Sequence, residues 1–402
     1  MAGRRQNGEG TIYPYRNGYA AQVFVVTPEG RRVRKTVYGK TRTEVQEKWV
    51  QLQTQSRSGP VTTTVPRVEE FAAGWLRDVV RPSLAPSTVA NYELFTRLYI
   101  APDLGKKRID RLGVRDVRLW LTALKDRCQC CAQGKDAARA VPRCCAAGKC
   151  CDQRASEWTV HQAWTVLRSM LSEAVRDELV VRNVAALVKV PLPRPRKRKH
   201  WTVDEARKFL ESARTHDDPL YAGYVLMLVL GLRRGELLGL AWEDLDLDAS
   251  EARIGWQVQR VGGELVRRTT KTHSSDAPLP LPDICIQALA HRRRMETRLR
   301  LAAGEAWNPT GLVLTTRFGD PIDPRNFQRA FRSSVRRAGV PVIPVHSTRR
   351  TCASLLVALD AHPRVAMAIL RHSKIAVTMD IYSQVSAAST REALKRLGEA
   401  FL

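Results

Sequence analysis

The sequence predicts a mainly α-helical protein with small β elements, divided into three domains. Three observations lead there. At 402 residues the chain exceeds what one hydrophobic core usually holds. Apolar residues recur at helical spacing through most of the chain beyond Val65, and hairpin signals are confined to the N-terminal stretch and one later insert.

Composition narrows the partner. The 66 Lys+Arg against 40 Asp+Glu leave a formal charge of +26, while 44% hydrophobic residues exclude a disordered chain. An excess that large seeks a polyanion, and nucleic acid leads over an anionic membrane. The longest apolar stretch, Ala222–Leu232, is far short of the ~20 residues that span a bilayer. The N-terminus lacks the apolar core of a secretory signal, so a cytoplasmic protein with reduced thiols and no membrane partner is expected.

Residues 1–60 read as a small β-rich unit. Strand-like runs at Thr11–Arg16, Tyr19–Thr27 and Arg32–Tyr38 are separated by Asn17-Gly18 and Pro28-Glu29-Gly30, both turn signals. Thr41 followed by Glu44 marks a capped helix whose Val45, Trp49 and Leu52 would cover one sheet face. The other face is expected to carry Arg32, Arg34 or Lys35, a surface able to enter a DNA major groove; a merely solvated basic face is the alternative.

Residues 61–193 read as helical, with helices expected at Val68–Val80, Thr88–Ile100 (capped by Ser87), Val114–Lys125 and Thr159–Glu178. An insertion at 127–154 interrupts them. It holds seven of the nine cysteines: Cys128, Cys130, Cys131, Cys144, Cys145, Cys150 and Cys151. In a reduced compartment such density favours thiolate metal binding, and a structural zinc on Cys128 and Cys131, completed by Cys145 and Cys150, is one reading. A loop of free thiols is the other. Residues 194–200 form a basic linker, with Arg196, Lys197, Arg198 and Lys199 suited to a tether along DNA.

Residues 201–402 are helix-dominated with a β insert. Thr202 and Glu205 form a capping-box signature, and Ala222–Leu232 reads as a buried helix. Strands are expected over Arg253–Val266 and Thr269–Pro280 around Gly262-Gly263, then helices at Pro282–Leu301, Pro324–Ala338, Ser347–Leu359, Arg364–Leu370 and Thr390–Phe401.

With 51 arginines and 8 histidines, a His-x-x-Arg pair arises by chance, and His291…Arg294 sits in a plain arginine-rich helix. Order carries more weight. GLRRGELLGLAWEDLD (Gly231–Asp246) is followed by TKTHSSDAPLPLP (Thr270–Pro282), HSTRRTCASLL (His346–Leu356) and ILRHSKIAVTMDIYSQV (Ile369–Val385). With these segments in this order, the C-terminal 200 residues resemble the tyrosine recombinases, or phage-integrase family. The helical middle segment is similar to that family's core-site-binding domain, and the N-terminal unit to its arm-site-binding domain.

The resemblance implies a catalytic set of Arg233, Lys271, His346, Arg349, His372 and Tyr382, with Glu236 in support. Where the family usually reads Leu-Gly-His-Ser, this chain has Leu370-Arg371-His372-Ser373. The residue types suit the chemistry independently. Two guanidiniums can clamp a phosphodiester as charge builds on phosphorus. A phenol with an ordinary pKa near 10 needs a base or a positive surround. The ammonium of Lys271 is a natural proton donor to a departing 5′-hydroxyl. Tyr382 is also the one tyrosine beyond Tyr224. The implied reaction is site-specific recombination of double-stranded DNA attachment sites through a 3′-phosphotyrosyl link, by a homotetramer, with no cofactor for catalysis. An excisionase and a DNA-bending accessory protein are implied helpers. Two rivals remain: a DNA-binding regulator on an inactive recombinase fold, and a type IB-like topoisomerase. The C-terminal stripe Leu394, Leu397 and Phe401 would dock on a neighbour or on its own domain.

Overall fold

A computed structural model describes residues 12–27, 30–59, 64–193, 199–270, 278–372, 374–382 and 399. The chain forms two compact units, Met1–Arg194 and Pro195–Leu402. No described helix is long and apolar enough to cross a membrane.

The first unit opens with an antiparallel sheet of β1 (Tyr13–Tyr15), β2 (Gly18–Val26) and β3 (Arg32–Gly39), in that order, followed by α1 (Arg42–Ser58). The first turn falls one residue earlier than expected. Tyr15 pairs with Gly18, so Arg16 and Asn17 make the loop and Arg16 takes the positive φ of 48°. Gly18 is needed for another reason: a Cβ there would lie 2.3 Å from the Gly39 carbonyl oxygen. Thr41 caps α1 by accepting the Glu44 N–H, while the Glu44 carboxylate accepts from the Lys40 N–H instead of closing on Thr41 itself. Val45 and Leu52 are buried under the helix, and the Trp49 indole donates to the Gln22 carbonyl at 3.1 Å.

Strand alternation decides the open face. Phe24 pairs with Arg34 and Val26 with Arg32, so these four share one side, with Phe24 49% exposed and both guanidiniums within 5 Å of its ring centre. Lys35 is a correction. Successive residues of a strand point to opposite faces, so Lys35 lies on the side of Val33 and Val37, which pack with Val25 and Leu52. Burial and nearby Arg108 hold its ammonium pKa below the usual value.

The helices that follow are α2 (Val68–Trp75), continued through a π-turn (Leu76–Val80) to Ser83; α3 (Pro86–Phe95), continued to Leu104; α4 (Val114–Asp126); α5 (Gln129–Ala132); and α6 (Glu157–Arg176). Ser87 does not cap α3. Ala85 holds that position and Pro86 the first turn, where a missing N–H costs nothing. Val117, Trp120, Leu121 and Leu124 form the buried stripe of α4, packed with Val160, Leu167 and Met170 of α6. Two buried indoles are satisfied by carbonyls, Trp120 by Tyr99 at 2.8 Å and Trp164 by Ala185 at 2.9 Å.

In the second unit α7 (Val203–Thr215) begins with the expected capping box of Thr202 and Glu205. Next come α8 (Tyr221–Val229), α9 (Arg234–Gly239), β4 (Leu245–Asp246) and β5 (Glu251–Ala252). The expected strand over Arg253–Val266 is instead a hairpin turning at Gly262-Gly263, with β6 (Trp256–Val261) paired to β7 (Glu264–Thr269). Of the second expected strand, β8 (Leu279–Pro280) joins β5. Helices α10 (Asp283–Ala303), α11 (Pro324–Arg337), α12 (Ser347–Ala358), α13 (Pro363–Leu370) and α14 (Ile375–Tyr382) complete it. The core helix α8 is buried from Ala222 to Leu228, and Tyr224 meets Phe209, Phe327 and Phe331 in an aromatic cluster that also takes Trp201. Trp201 fixes the start of this unit: its N–H donates to Thr351 Oγ1 of α12 and its indole to the Pro341 carbonyl. The expected helix over Thr390–Phe401, with its Leu394, Leu397 and Phe401 stripe, lies outside the described residues.

Candidate active site

Four segments meet where α8, α9, α12 and α13 end or begin. Gly231, two residues past α8, has φ +61°. A Cβ there would sit 2.6 Å from Leu370 Cδ2 and 3.3 Å from Cys352 Sγ, so both conformation and space demand glycine. Its carbonyl accepts from Arg349 Nη1 at 2.7 Å, and the Leu370 carbonyl accepts from Arg349 Nη2. Arg349 is thereby held, buried, between two chain turns.

Arg233 stands at the N-terminal boundary of α9 with Glu236 three residues on, so the carboxylate returns to the backbone as in a capping box. Glu236 Oε2 accepts from the Arg233 N–H at 2.9 Å and Oε1 from Arg233 Nη1 at 2.6 Å. A third donor closes the set: Arg371 Nη2 reaches Glu236 Oε2 at 2.9 Å. Both Arg371 and Glu236 are buried. Burial works against ionising Glu236, but the two guanidiniums outweigh it and hold the carboxyl below its usual range.

Arg371 is the residue that sequence reasoning missed. It adopts φ 50°, ψ 49°, the left-handed conformation that glycine takes most easily. Its N–H donates to the Ala368 carbonyl and that of His372 to the Met367 carbonyl, a Schellman closure of α13. The turn before His372 is therefore kept without glycine, and the side chain so introduced pairs with Glu236. The signal was the arginine itself, standing at a turn position next to a proposed site residue.

His372 Nδ1 pairs with Thr378 Oγ1 at 2.9 Å. Burial, then Arg349, Arg233 and Arg371, push its pKa down to about 4, so at neutral pH it is an uncharged imidazole. Arg349 is itself lowered to about 9 by burial and by repulsion from Arg233, and stays protonated. Three cations around one carboxylate leave an excess of positive charge, a setting that an incoming phosphate would relieve.

The remaining expected residues fall as follows. His346 is exposed at the start of α12, one turn before Arg349. Tyr382 is the last residue of α14, four positions after Thr378, the residue bonded to His372. Lys271 lies outside the described residues, as do Arg196, Lys197 and Arg198; Lys199 is described and exposed. His291 makes a contact of 3.0 Å with Asp217, apart from the Arg349 cluster. Arg233, Glu236, Arg349 and His372 are thus brought together, with Arg371 added.

The cysteines of the insertion converge separately in the first unit. Cys128, Cys131, Cys144 and Cys145 have all four Sγ atoms within 4.8 Å of one another, and so do Cys130, Cys144 and Cys151. Cys144 takes the place that the spacing suggested for Cys150. None of the nine cysteines is disulfide-bonded.

Comparison with known proteins agrees with this architecture. The model of the phage integrase family matches residues 199–389, and that of the phage integrase N-terminal SAM-like domain matches residues 68–125. A tyrosine recombinase XerC-like protein of Caldanaerobacter subterraneus subsp. tengcongensis is 26% identical over 393 residues, covering 93% of each chain. An integrase of Streptomyces ambofaciens is 28% identical over 398 residues, covering 95% of this chain and 94% of its own. Among solved structures, the Tn1549 transposon integrase in complex with transposon right end DNA superposes with TM-score 0.63 at 19% identity, covering 83% of this chain and 99% of its own. A lambda integrase tetramer bound to a Holliday junction gives TM-score 0.50 at 15% identity, covering 94% and 96%. The chain belongs to the tyrosine recombinase, or phage integrase, family.

Proposed function

We propose that the protein is a site-specific DNA recombinase that integrates a phage or mobile element, and excises it with a helper. The observation that carries this reading is the Glu236 carboxylate bonded by Arg233 and Arg371, with Arg349 held by the Gly231 and Leu370 carbonyls and His372 beside these guanidiniums, and with Tyr382 ten residues along the chain. Arg233 and Arg349 clamp the non-bridging oxygens of the scissile phosphate. The Tyr382 phenolic oxygen attacks phosphorus in line; its proton passes to His346, and the 5′-oxygen leaves with a proton from Lys271. His372, neutral, hydrogen-bonds the phosphate, and through Thr378 it steadies the helix that carries the nucleophile. One phosphoester bond forms as one breaks, so a 5′-hydroxyl from a partner duplex reverses the step onto a new strand without a nucleotide cofactor.

The division of labour follows. Residues 1–60 bind arm sites through the face of Arg32 and Arg34, residues 61–193 bind the core site, residues 201–402 carry the catalysis, and the basic linker 194–200 adds positive charge suited to DNA. Two strand exchanges need four active sites, hence a homotetramer on paired attachment sites; the similar lambda integrase is a tetramer bound to a Holliday junction. An excisionase and a bending protein fit the directional control of such a reaction, in the cytoplasm. The insertion at 127–154 holds structural zinc through its thiolates and takes no part in the chemistry.

The test uses a nicked suicide substrate. Tyr382→Phe should bind the core site with unchanged affinity and give no SDS-resistant adduct. An adduct at the wild-type level would move the nucleophile elsewhere.

A further inference from the structure

We infer that the insertion holds a binuclear metal–thiolate cluster in which the Cys144 sulfur bridges two ions. The inference rests on the structural-zinc reading above and goes further, in nuclearity and in ligand assignment. The starting point is that residues 127–154 have almost nothing else to fold around. Their helix α5 is four residues long, and among the residues between Arg127 and Arg154 whose burial is described the buried ones are Gln129, Cys130, Asp136 and Cys144. No aliphatic or aromatic side chain is among them, and Val141 is 65% exposed. A segment this short without an apolar core needs a covalent or metal staple.

Spacing of the sulfurs selects metal over disulfide. Cys128 Sγ lies 3.6 Å from both Cys144 Sγ and Cys151 Sγ, and Cys144 Sγ lies 3.9 Å from Cys145 Sγ. A disulfide requires ~2.05 Å. Four sulfurs at ~2.3 Å from a tetrahedral zinc are about 3.8 Å apart along each edge, which matches the Cys128–Cys144 and Cys144–Cys145 separations, while the Cys128–Cys151 contact sets a sulfur of each group side by side.

The count and the overlap select two ions. The two thiol groups share one member, Cys144. Two four-coordinate ions with a single shared sulfur need seven thiolates, and the insertion contains seven cysteines. One ion takes Cys128, Cys131, Cys144 and Cys145; the other takes Cys130, Cys144 and Cys151, with Cys150 completing it. The bridging position is also the best fixed. Cys144 is fully buried, its N–H donates to Asp136 Oδ2 at 3.1 Å, and the Cys151 N–H donates to its sulfur at 3.2 Å. Asp136 is buried too and accepts from the Arg143 N–H at 3.0 Å, so one carboxylate shapes the turn that presents Cys144. Seven thiolates and two zinc ions sum to three negative charges, which Lys135, Arg143 and Lys149 of the same segment can offset, since Arg127, Arg139 and Arg154 already pair with Asp103, Asp136 and Asp152.

The full-length protein, purified without chelator, is expected to carry two zinc ions per chain by elemental analysis. After exchange into ¹¹³Cd, two resonances in the tetrathiolate range should split each other through the shared sulfur, and Cys144→Ser should hold no more than one ion. One ion per chain, or two uncoupled resonances, overturns the bridged cluster and leaves the zinc reading intact. No metal, or an iron–sulfur chromophore, overturns both. Because nuclearity and coupling are read on the wild-type chain, a Cys144→Ser variant that fails to fold does not shelter the inference.

Discussion

Replacing Arg371 by glycine restores the residue that tyrosine recombinases usually have at this turn, and in this chain it should impair the enzyme. Two effects oppose each other. The left-handed backbone at φ 50° costs an arginine about 1–2 kcal/mol that glycine would recover. Against that, Glu236 loses a buried partner at 2.9 Å, and removing one member of a buried ion pair costs about 3–5 kcal/mol when the remaining charge is uncompensated. Glu236 keeps both bonds from Arg233, so the lower end applies. The net loss is then about 1–2 kcal/mol, or a fall of roughly 2–8 °C in the Tm of the C-terminal unit. A second effect is on chemistry, because Glu236, no longer fixed by Arg371, holds Arg233 less rigidly. A loss of about 1.4 kcal/mol at the transition state slows cleavage about tenfold. Single-turnover cleavage of a suicide substrate, with a melting curve on the same preparation, measures both. Arg371→Lys, which keeps a charge but not the planar fork, should fall between. A glycine variant that cleaves at the wild-type rate and melts higher would show that the arginine merely tolerates the turn.

Other expectations follow from the same geometry. Gly231→Ala brings a methyl to 2.6 Å from Leu370 Cδ2 at a positive φ, so it should lower Tm and displace the carbonyl that holds Arg349, abolishing cleavage while leaving arm-site binding unchanged in a filter assay. Arg32→Ala with Arg34→Ala should weaken arm-site DNA binding and reduce its salt slope by roughly 2, whereas Lys35→Ala, on the opposite face, should leave the slope unchanged. His372 has a folded pKa near 4 against an unfolded value near 6.5, so below pH 6.5 the unfolded chain binds the extra proton and stability should decline between pH 6.5 and 4; His372→Gln should flatten that decline in denaturant titrations.

Much of this was legible in the sequence because it depended on local chemistry. Thr202 with Glu205 and the apolar stripe of α4 are set by residues within a few positions of one another, and both form as their patterns indicate, whereas Gly262-Gly263 turns a hairpin inside what was expected as one strand. Arg233 and Glu236 are three apart on one helical turn, so their pairing could be anticipated; Arg349 and His372 required the order of four distant segments. What was not legible depended on geometry between segments. The face of Lys35 follows from a strand parity that the sequence alone left open among Arg32, Arg34 and Lys35. The choice of Cys144 over Cys150 depends on how a coreless loop folds back on itself. The partnership of Arg371 with Glu236 spans 135 residues, and no local propensity points to it.

The central claim is that a phenolic oxygen at position 382 takes the scissile phosphate. The direct measurement is to trap the covalent complex on a suicide substrate, digest it with trypsin and nuclease, and locate the nucleotide by mass spectrometry. The account predicts the added mass on the peptide Ile375–Arg391, at Tyr382, linked to a 3′-phosphate. A label on any other residue, or one joined through a 5′-phosphate, would contradict it.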